Sequence, residues 1–301
     1  MTTAIDIRSM SRVFRSATAL DDVTLTVPEG AICGLLGRNG AGKTTIMSIL
    51  AGQDRPSSGT VKVFGENPFE NEAALSRISF IRDNQRYPDG YRLQHVLRIA
   101  PEFAPNWNAD VAAELVDGFR IPDRTPIKKF SRGQLSSVAI VLALASRAPL
   151  TLLDEPYLGL DVTARALFHT MLLRDYTEHP RTVVLSTHLI EESEALFDRV
   201  VIVDRGRVRV DCVSEETSSL AFTVSGPADA VDRLSEGRTV LLSHAVGTLK
   251  SSTVSGTADD DLRAQARTLG ASLSPATLPE LVAGFGAEAP EPTPITKGVR
   301  A

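Results

Sequence analysis

The sequence predicts an α/β fold whose core is a mainly parallel sheet, extended by an antiparallel β subdomain, a helical insertion and a small C-terminal α+β appendix. Three uninterrupted apolar runs, at 150–153, 182–186 and 200–203, are typical of parallel strands that are covered on both faces. A glycine-rich loop at 37–44 lies between an apolar strand and a helix-like run. Alternating strands and helices of this kind build parallel sheets, so these observations determine the class.

The first 30 residues predict antiparallel strands. Ile5 and Ile7 alternate with polar neighbours, and Val23, Leu25 and Val27 repeat that alternation before a turn. Two further short strands are predicted at 60–64 and 78–81.

Between about 84 and 147 the pattern changes to a helical subdomain. Leu93, Val96 and Leu97 keep helical spacing, and several prolines separate the helices from one another. The first domain is therefore expected to span 1–211.

Beyond residue 211 the sequence predicts an accessory α+β domain at 212–286, followed by a disordered, proline-rich tail at 287–301. For the accessory domain we expect a regulatory or dimer-stabilising role. Its predicted strands lie at 221–224, 239–242 and 249–254, and its predicted helices at 259–269 and 279–285.

Composition limits the possible functions. The 301 residues carry a net charge of −5, with Lys and Arg scattered, so no nucleic-acid partner is expected. The N-terminus predicts no secretory signal, and no window approaches the roughly 18 apolar residues of a membrane span. Cys33 and Cys212 lie far apart, which predicts neither a disulfide framework nor a metal site and fits a reducing cytoplasm.

The loop at 37–44 reads Gly-Arg-Asn-Gly-Ala-Gly-Lys-Thr and satisfies the phosphate-loop pattern, which makes the predicted core a P-loop NTPase. Its glycines allow backbone N–H groups and the following helix N-terminus to face an anion. Lys43 supplies a positive charge near the β and γ phosphates, and the Thr44 hydroxyl is suited to Mg²⁺. A glycine-rich turn followed by a chance Lys-Thr is the alternative. The candidate nucleotide-binding residues here are Gly37, Asn39, Gly40, Ala41, Gly42, Lys43, Thr44 and Thr45.

The apolar strand at 150–153 ends in two adjacent carboxylates, Asp154 and Glu155. A strand end beside the loop places Asp154 near Mg²⁺, while Glu155, directed the other way on the pleat, can polarise an attacking water. A structural Asp-Glu-Pro turn that ends the strand is the alternative.

The segment Phe-Ser-Arg-Gly-Gln at 130–134 precedes a predicted helix at 135–146. Ser131 at the N-cap and Gln134 three residues later match a capping box, which by itself explains both residues.

Taken together, these motifs resemble the ATP-binding-cassette (ABC) family, whose Leu-Ser-Gly-Gly-Gln signature lies between the phosphate loop and the Asp-Glu strand. Phe14 matches the aromatic position that stacks on adenine, 159–161 matches the D-loop, and His188 matches the switch histidine. The resemblance covers roughly residues 4 to 210, with six motifs in the family's order.

The resemblance implies a mechanism that uses two chains, with ATP and Mg²⁺ as ligands. Ser131, Gly133 and Gln134 would act on the nucleotide of a facing cassette, with the helix start favouring the γ-phosphate. Glu155, His188 and Lys43 would be catalytic. The implied partners are a separately encoded transmembrane permease subunit and a second ABC subunit, identical or different. The implied location is cytoplasmic and peripheral on the inner face of the cell membrane, and the transport direction is export.

Two positions depart from the family pattern. Asp83 occupies the place of a glutamine that contacts Mg²⁺ in the family, and an aspartate cannot donate a hydrogen bond as an amide can. Arg132 replaces the first signature glycine. The segment at 82–92 matches the region that receives a membrane subunit, and a solvated loop is its alternative. Two other functions stay open: a soluble ABC ATPase of translation or DNA repair, and a weakly hydrolysing regulatory module.

Overall fold

The computed structural model describes residues 2–15, 17–82 and 85–286. The chain forms two compact units, of which the first ends at Thr217 and the second begins at Ser218. The residues expected to form a disordered tail, 287–301, lie outside the described part. In the described part, no helix combines the length and the apolar character needed to cross a bilayer.

The first unit is an α/β structure. Its strands are β1 (Thr3–Phe14), β2 (Ala17–Pro28), β3 (Ile32–Leu36), β4 (Ser58–Val63), β5 (Ile78–Ile81), β6 (Leu150–Asp154), β7 (Thr182–Ser186), β8 (Arg199–Asp204) and β9 (Arg207–Val213). Its helices are α1 (Lys43–Leu50), α2 (Glu72–Leu75), α3 (Leu93–Ile99), α4 (Ala109–Gly118), α5 (Arg132–Ser146), α6 (Val162–Glu178) and α7 (Ile190–Ser193). Three short 3₁₀ turns lie at Ala100–Phe103, Ile127–Lys129 and Glu194–Leu196, and a fourth, Ser214–Ser219, spans the division between the two units.

The central sheet has six strands in the order β5-β6-β7-β3-β8-β9. All neighbours are parallel except β8 and β9, which pair antiparallel. Every residue of β3, β6 and β7 is buried, as the uninterrupted apolar runs predicted. Because parallel strands share one direction, the loops that follow β3, β6 and β7 meet at a single edge of the sheet.

A second sheet of three antiparallel strands has the order β2-β1-β4, which confirms the predicted antiparallel subdomain. Its inward side chains, among them Ile5, Ile7 and Val23, join α1 and the central sheet in one apolar core. Between β5 and β6 the chain is helical and forms α3, α4 and α5. The core of the first unit therefore holds the loop before α1 between two sheets.

The second unit is an α+β structure with its own apolar core. Its elements are β10 (Ala221–Pro227), α8 (Ala228–Ser235), β11 (Val240–Val246), β12 (Leu249–Ser255), α9 (Asp260–Thr268), β13 (Ser272–Pro275) and α10 (Leu278–Phe285). The sheet is antiparallel in the order β11-β12-β10-β13. Strand, helix, two strands, helix and strand in this order form the ferredoxin-like split βαβ arrangement.

Candidate nucleotide-binding site

The loop at 37–44 connects the buried strand β3 to α1, and two of its glycines are required by close approaches. A Cβ on Gly37 would lie 2.1 Å from the Val203 carbonyl oxygen, and one on Gly42 would lie 2.6 Å from Leu20 Cδ2. Gly37, Gly40 and Gly42 all have positive φ values of 143°, 81° and 110°. No L side chain adopts this sequence of conformations easily, so the glycine pattern determines the shape of the loop.

Lys43 is the first residue of α1 and is buried. Its Nζ donates hydrogen bonds to the carbonyl oxygens of Gly37, at 2.8 Å, and Arg38, at 3.2 Å. Burial lowers the pKa of Lys43, while the nearby carboxylates of Glu155 and Asp154 act to raise it. The Lys43 side chain thus bends back over the loop, and its ammonium group lies near two loop carbonyl oxygens and two carboxylates.

Thr44 and Asp154 are 110 positions apart in the sequence, and the structure brings them together. Thr44 Oγ1 donates a hydrogen bond of 2.7 Å to Asp154 Oδ2. The other carboxylate oxygen, Asp154 Oδ1, is buried and has no hydrogen-bond partner among the described residues. A hydroxyl beside a carboxylate with one free oxygen fits Mg²⁺, which prefers oxygen ligands and one or two protein contacts.

Glu155 follows the end of β6 in a left-handed conformation, with φ of 51°. The strand ends at Asp154, so the pleat does not determine the direction of the Glu155 side chain. Its Oε2 accepts a hydrogen bond of 3.3 Å from the His188 backbone N–H and lies 2.7 Å from His188 Nδ1. The structure thus places the predicted base against the predicted switch histidine, which is half exposed.

A pocket of about 290 Å³ lies over the loop. Both carboxylates and the predicted loop residues share it, apart from Gly37, which does not line it. The lining residues are Ala19, Asn39, Gly40, Ala41, Gly42, Lys43, Thr44, Thr45, Asp154 and Glu155. Ala19, on β2, is an addition that no sequence motif indicated.

Phe14, the candidate for adenine stacking, ends β1 with 44% of its surface exposed. The Arg12 guanidinium lies 4.3 Å from the centre of its ring, and Arg12 is itself paired with Asp54. One face of the aromatic ring is therefore already covered by a cation.

The segment at 131–134 begins α5 and does not line the pocket over the loop of its own chain. Ser131 Oγ accepts from the Gln134 N–H at 3.2 Å, and Gln134 Oε1 accepts from the Ser131 N–H at 2.9 Å. The predicted capping box is thus present. Ser131 is exposed, so the cap leaves its hydroxyl at the surface.

Gly133 contacts the D-loop segment of the same chain, a contact that the sequence motifs did not indicate. A Cβ on Gly133 would lie 2.3 Å from the Gly159 carbonyl oxygen, and one on Gly159 would lie 2.7 Å from the Gly133 nitrogen. Ser136 Oγ also donates to the Leu158 carbonyl oxygen at 2.6 Å. The start of α5 therefore packs directly against the segment at 158–161.

Tyr157 is a second residue that sequence reasoning missed. It is 2% exposed, and its hydroxyl lies 2.7 Å from His169 Nε2 and accepts from Ser193 Oγ at 3.0 Å. It thereby joins the segment after Glu155 to α6 and to α7, the helix that follows His188. Only its position inside the motif could have marked it, because a tyrosine after Asp-Glu-Pro has no pattern of its own.

The remaining metal candidate, Asp83, lies outside the described residues. Gln85, two residues further along, is described and lines a small cavity together with Asp154 and Glu155. An amide is therefore present near the carboxylates, in the segment where the family glutamine is expected.

A buried strand, a glycine loop, a helix and two carboxylates at the neighbouring strand end define a domain of the P-loop NTPase fold. Comparison with known proteins is consistent with this class. The family model described as ABC transporter matches residues 20–158.

Among relatives, the chain is 33% identical over 210 residues to the aliphatic sulfonates import ATP-binding protein SsuB 1 of Burkholderia lata, covering 69% of this chain. That match spans 63% of the relative's length. The chain is also 31% identical over 224 residues to the daunorubicin/doxorubicin resistance ATP-binding protein DrrA of Streptomyces peucetius, covering 72% of this chain and 68% of the relative.

Among solved structures, an ATP-binding subunit of an ABC transporter matches with a TM-score of 0.65 and 26% identity, covering 71% of this chain and 92% of that one. A dimeric ATP-binding cassette in a post-hydrolysis state, bound to ADP and Pi, matches the fold with a TM-score of 0.62 and 21% identity, over 70% of this chain and 98% of that one. The chain therefore belongs to the ABC transporter family, and the first unit has the fold of its ATP-binding cassettes.

Proposed function

We propose that this chain binds and hydrolyses ATP as the ATPase subunit of an ABC transporter. The observation that carries the proposal is the cluster at the sheet edge, where Thr44 contacts Asp154 and Glu155 contacts His188 beside the phosphate loop. A loop, a metal site and a base in one pocket are the parts that phosphoryl transfer to water requires.

The loop residues bind the phosphates through backbone N–H groups, and Lys43 turns its charge from the loop carbonyls to the β and γ phosphates. Thr44 and Asp154 would hold Mg²⁺, which neutralises charge on the phosphate oxygens when it is bound. Because Lys43 is already buried and its pKa is lowered, an anion that approaches its ammonium group relieves an existing electrostatic cost.

Glu155 acts as the general base that takes a proton from the attacking water. Its carboxylate is oriented by two contacts from His188, one from the backbone N–H and one from the imidazole. A base held by a neighbour in one rotamer loses less entropy on reaching the water. His188, being half exposed, is placed to turn from Glu155 to a γ-phosphate.

The signature residues Ser131, Gly133 and Gln134 act on the nucleotide of a facing cassette, in a homodimer or heterodimer that closes on ATP. The exposure of Ser131, and the absence of residues 131–134 from the pocket of their own loop, support this arrangement. A separately encoded permease subunit converts the closure into transport, and the chain works at the inner face of the cell membrane.

Export is the proposed direction. This direction rests on the resemblance of an undivided cassette with an added C-terminal segment to export-type transporters. An import ATP-binding protein and a resistance ATP-binding protein both match the chain, at 33% and 31% identity. We also keep the division into a cassette at 1–211, with a helical subdomain at about 84–147, and an accessory domain at 212–286. The two compact units support this division, although β9 continues to Val213 and the units meet at 217 and 218.

A second candidate function is a regulatory module that binds ATP and hydrolyses it slowly. Arg132 favours this candidate, because a charged, exposed side chain stands where the family signature has glycine. The two candidates differ in turnover and not in nucleotide binding.

Steady-state phosphate release from the purified chain, alone and with its permease, tests the proposal. We expect Glu155→Gln to lower release by about 10²–10⁴-fold, the usual contribution of a general base, while ATP binding is kept. The Glu155→Gln variant should accumulate as dimers in the presence of ATP, which size-exclusion chromatography measures. Glu178→Gln, an exposed change at the end of α6, is the matched control. Release that is equally slow in the wild type and in Glu155→Gln would leave only the regulatory module.

A further inference from the structure

A pocket of about 490 Å³ lies at the edge of the central sheet opposite the phosphate loop. Pro149 immediately precedes β6 and Thr182 begins β7, and both residues line it. Asp154 and Ser186 end the same two strands. The pocket is therefore separated from the nucleotide site by the length of the strands, and no nucleotide-binding motif contributes to it.

The lining of this pocket is strongly basic. Arg77, Arg147 and Arg181 line it together with His179, and Glu29 is the one acidic residue among the described lining residues. A concave surface with one sign of charge concentrates small ions of the opposite sign.

Two of the arginines belong to a buried ion triad. Arg147 Nη2 lies 2.7 Å from Asp175 Oδ1, and Arg181 Nη1 lies 2.6 Å from Asp175 Oδ2. Asp175 is 1% exposed and the Arg181 side chain 3%. One carboxylate thus serves two guanidinium groups, which leaves one positive charge of the triad uncompensated in a region of low dielectric.

The triad is also incompletely hydrogen-bonded. Arg181 Nε and Nη2 are buried and have no hydrogen-bond partner among the described residues. Burial lowers the pKa of Arg181 despite the nearby Asp175 carboxylate. Buried donors of a charged group carry a desolvation cost when they are unpaired, and a bound anion would reduce that cost.

Arg77 and three apolar residues form another part of the pocket lining. The Arg77 guanidinium stacks on the Phe64 ring at 3.8 Å, which fixes its plane while its N–H groups remain in that plane for hydrogen bonds. Phe64, Pro149 and Pro180 give the pocket apolar surface beside the charges. Its volume lies in the range of about 300–1,000 Å³ that is usual for small-molecule sites.

We propose that this pocket binds a small soluble molecule that carries a phosphate group. The phosphate contacts the fork of Arg77 and the side of the Arg147 guanidinium that does not face Asp175, and it compensates the charge of the buried triad, because planar guanidinium groups match phosphate oxygens. The rest of the molecule packs on Phe64 and the two prolines. This inference does not depend on ATP hydrolysis, since the pocket shares no residue with the loop site.

Calorimetric titration of inorganic pyrophosphate tests the proposal in protein saturated with Mg²⁺ and ADP, so that the phosphate loop is occupied. We expect one pyrophosphate per chain, with affinity lowered at least about tenfold in Arg77→Gln, the loss typical of one charged hydrogen bond. Arg77→Lys keeps the charge without the fork and should lose less. Arg174→Gln, which removes an exposed arginine of α6 that is paired with Glu114, should bind like the wild type.

Circular dichroism and ADP affinity establish that each variant is folded. No pyrophosphate binding to the ADP-loaded wild type would overturn the proposal, and so would equal affinity in the wild type and in Arg77→Gln. An equal loss in Arg174→Gln would also overturn it, because it would mean that pyrophosphate responds to surface charge in general.

Discussion

The loop at 37–44 and the signature segment at 131–134 differ in how many of their contacts the chain itself supplies. The loop at 37–44 is built against its own partners: Lys43 is buried and Thr44 contacts Asp154. The signature at 131–134 begins a helix, is capped by its own side chains and begins at an exposed serine. Thr44 of the loop contacts a carboxylate of the same chain, whereas residues 131–134 do not line the pocket over that loop.

Two segments that both match family motifs can therefore differ in how much of their surroundings comes from their own chain. Gly37 and Gly42 of the loop are required by close contacts inside the fold, and so is Gly133, which touches Gly159. The same glycine therefore serves intrachain packing whether or not a second chain approaches. A variant in each segment therefore distinguishes nucleotide binding by the isolated chain from turnover that requires a second chain.

The largest effect is expected at the loop. Lys43→Ala removes a buried ammonium that contacts two loop carbonyls and faces two carboxylates. We expect the affinity for Mg²⁺–ATP to fall by about 100-fold or more, since charge-assisted contacts to phosphates are the strong ones. Fluorescent-nucleotide titration of the isolated chain measures this.

Lys62→Ala, an exposed change on β4, is the control for the loss of a lysine charge. Thermal unfolding separates lost binding from lost folding, because Lys43 also contacts the loop itself. Unchanged ATP affinity in a folded Lys43→Ala variant would mean that the loop does not bind the phosphates as proposed.

A smaller effect is expected at the signature. Gly133→Ala places a Cβ 2.3 Å from the Gly159 carbonyl oxygen, and overpacking of this kind costs about 1–3 kcal/mol. We expect ATP turnover to fall by about tenfold, while ATP affinity of the isolated chain is kept, because the loop site does not include Gly133. Steady-state phosphate release and nucleotide titration are measured on the same preparation.

Gly90→Ala is the matched control, since a Cβ there meets nothing within 4 Å and no positive φ is required. Equal turnover in Gly133→Ala and the wild type would show that the contact between α5 and 158–161 tolerates displacement. A loss of ATP affinity would instead show that the two segments are not separable.

The sequence predicted the fold class because its buried strands are nearly pure apolar runs, and because the alternation of β1 and β2 is regular. It missed α6. The buried residues of this helix are three apolar side chains and one carboxylate: Phe168, Met171, Leu172 and Asp175. A buried aspartate interrupts an apolar pattern, and only the two arginines brought to it by the fold explain its position. It also missed α8, which is one short amphipathic helix, and β13, an edge strand with a single partner.

The site was predictable where one local segment holds the chemistry, as in the loop and at Asp154. It was not predictable where tertiary contacts decide the arrangement. The left-handed conformation of Glu155 and the contact of Gly133 with Gly159 depend on elements that are distant in sequence. Tyr157 belongs to the same class, because its partners His169 and Ser193 come from two later helices.

Tyr157 lies after Glu155, which lines the pocket over the loop, and before Gly159, which contacts Gly133, and its hydrogen bonds give the smallest expected effect. Burial lowers the pKa of His169 below its ordinary value of 6.5. As the pH falls from 6.5 towards the lower pKa of His169 in the folded chain, the unfolded chain binds a proton that the folded chain does not. Acid therefore destabilises the folded state.

His169→Gln removes this titration and is expected to reduce the loss of stability between pH 7.5 and pH 5.5. Urea unfolding of the full chain at both pH values measures the difference. His179→Gln, an exposed change next to the end of the same helix, is the control. If the acid sensitivity of His169→Gln equals that of the control, the buried His169–Tyr157 contact does not govern it.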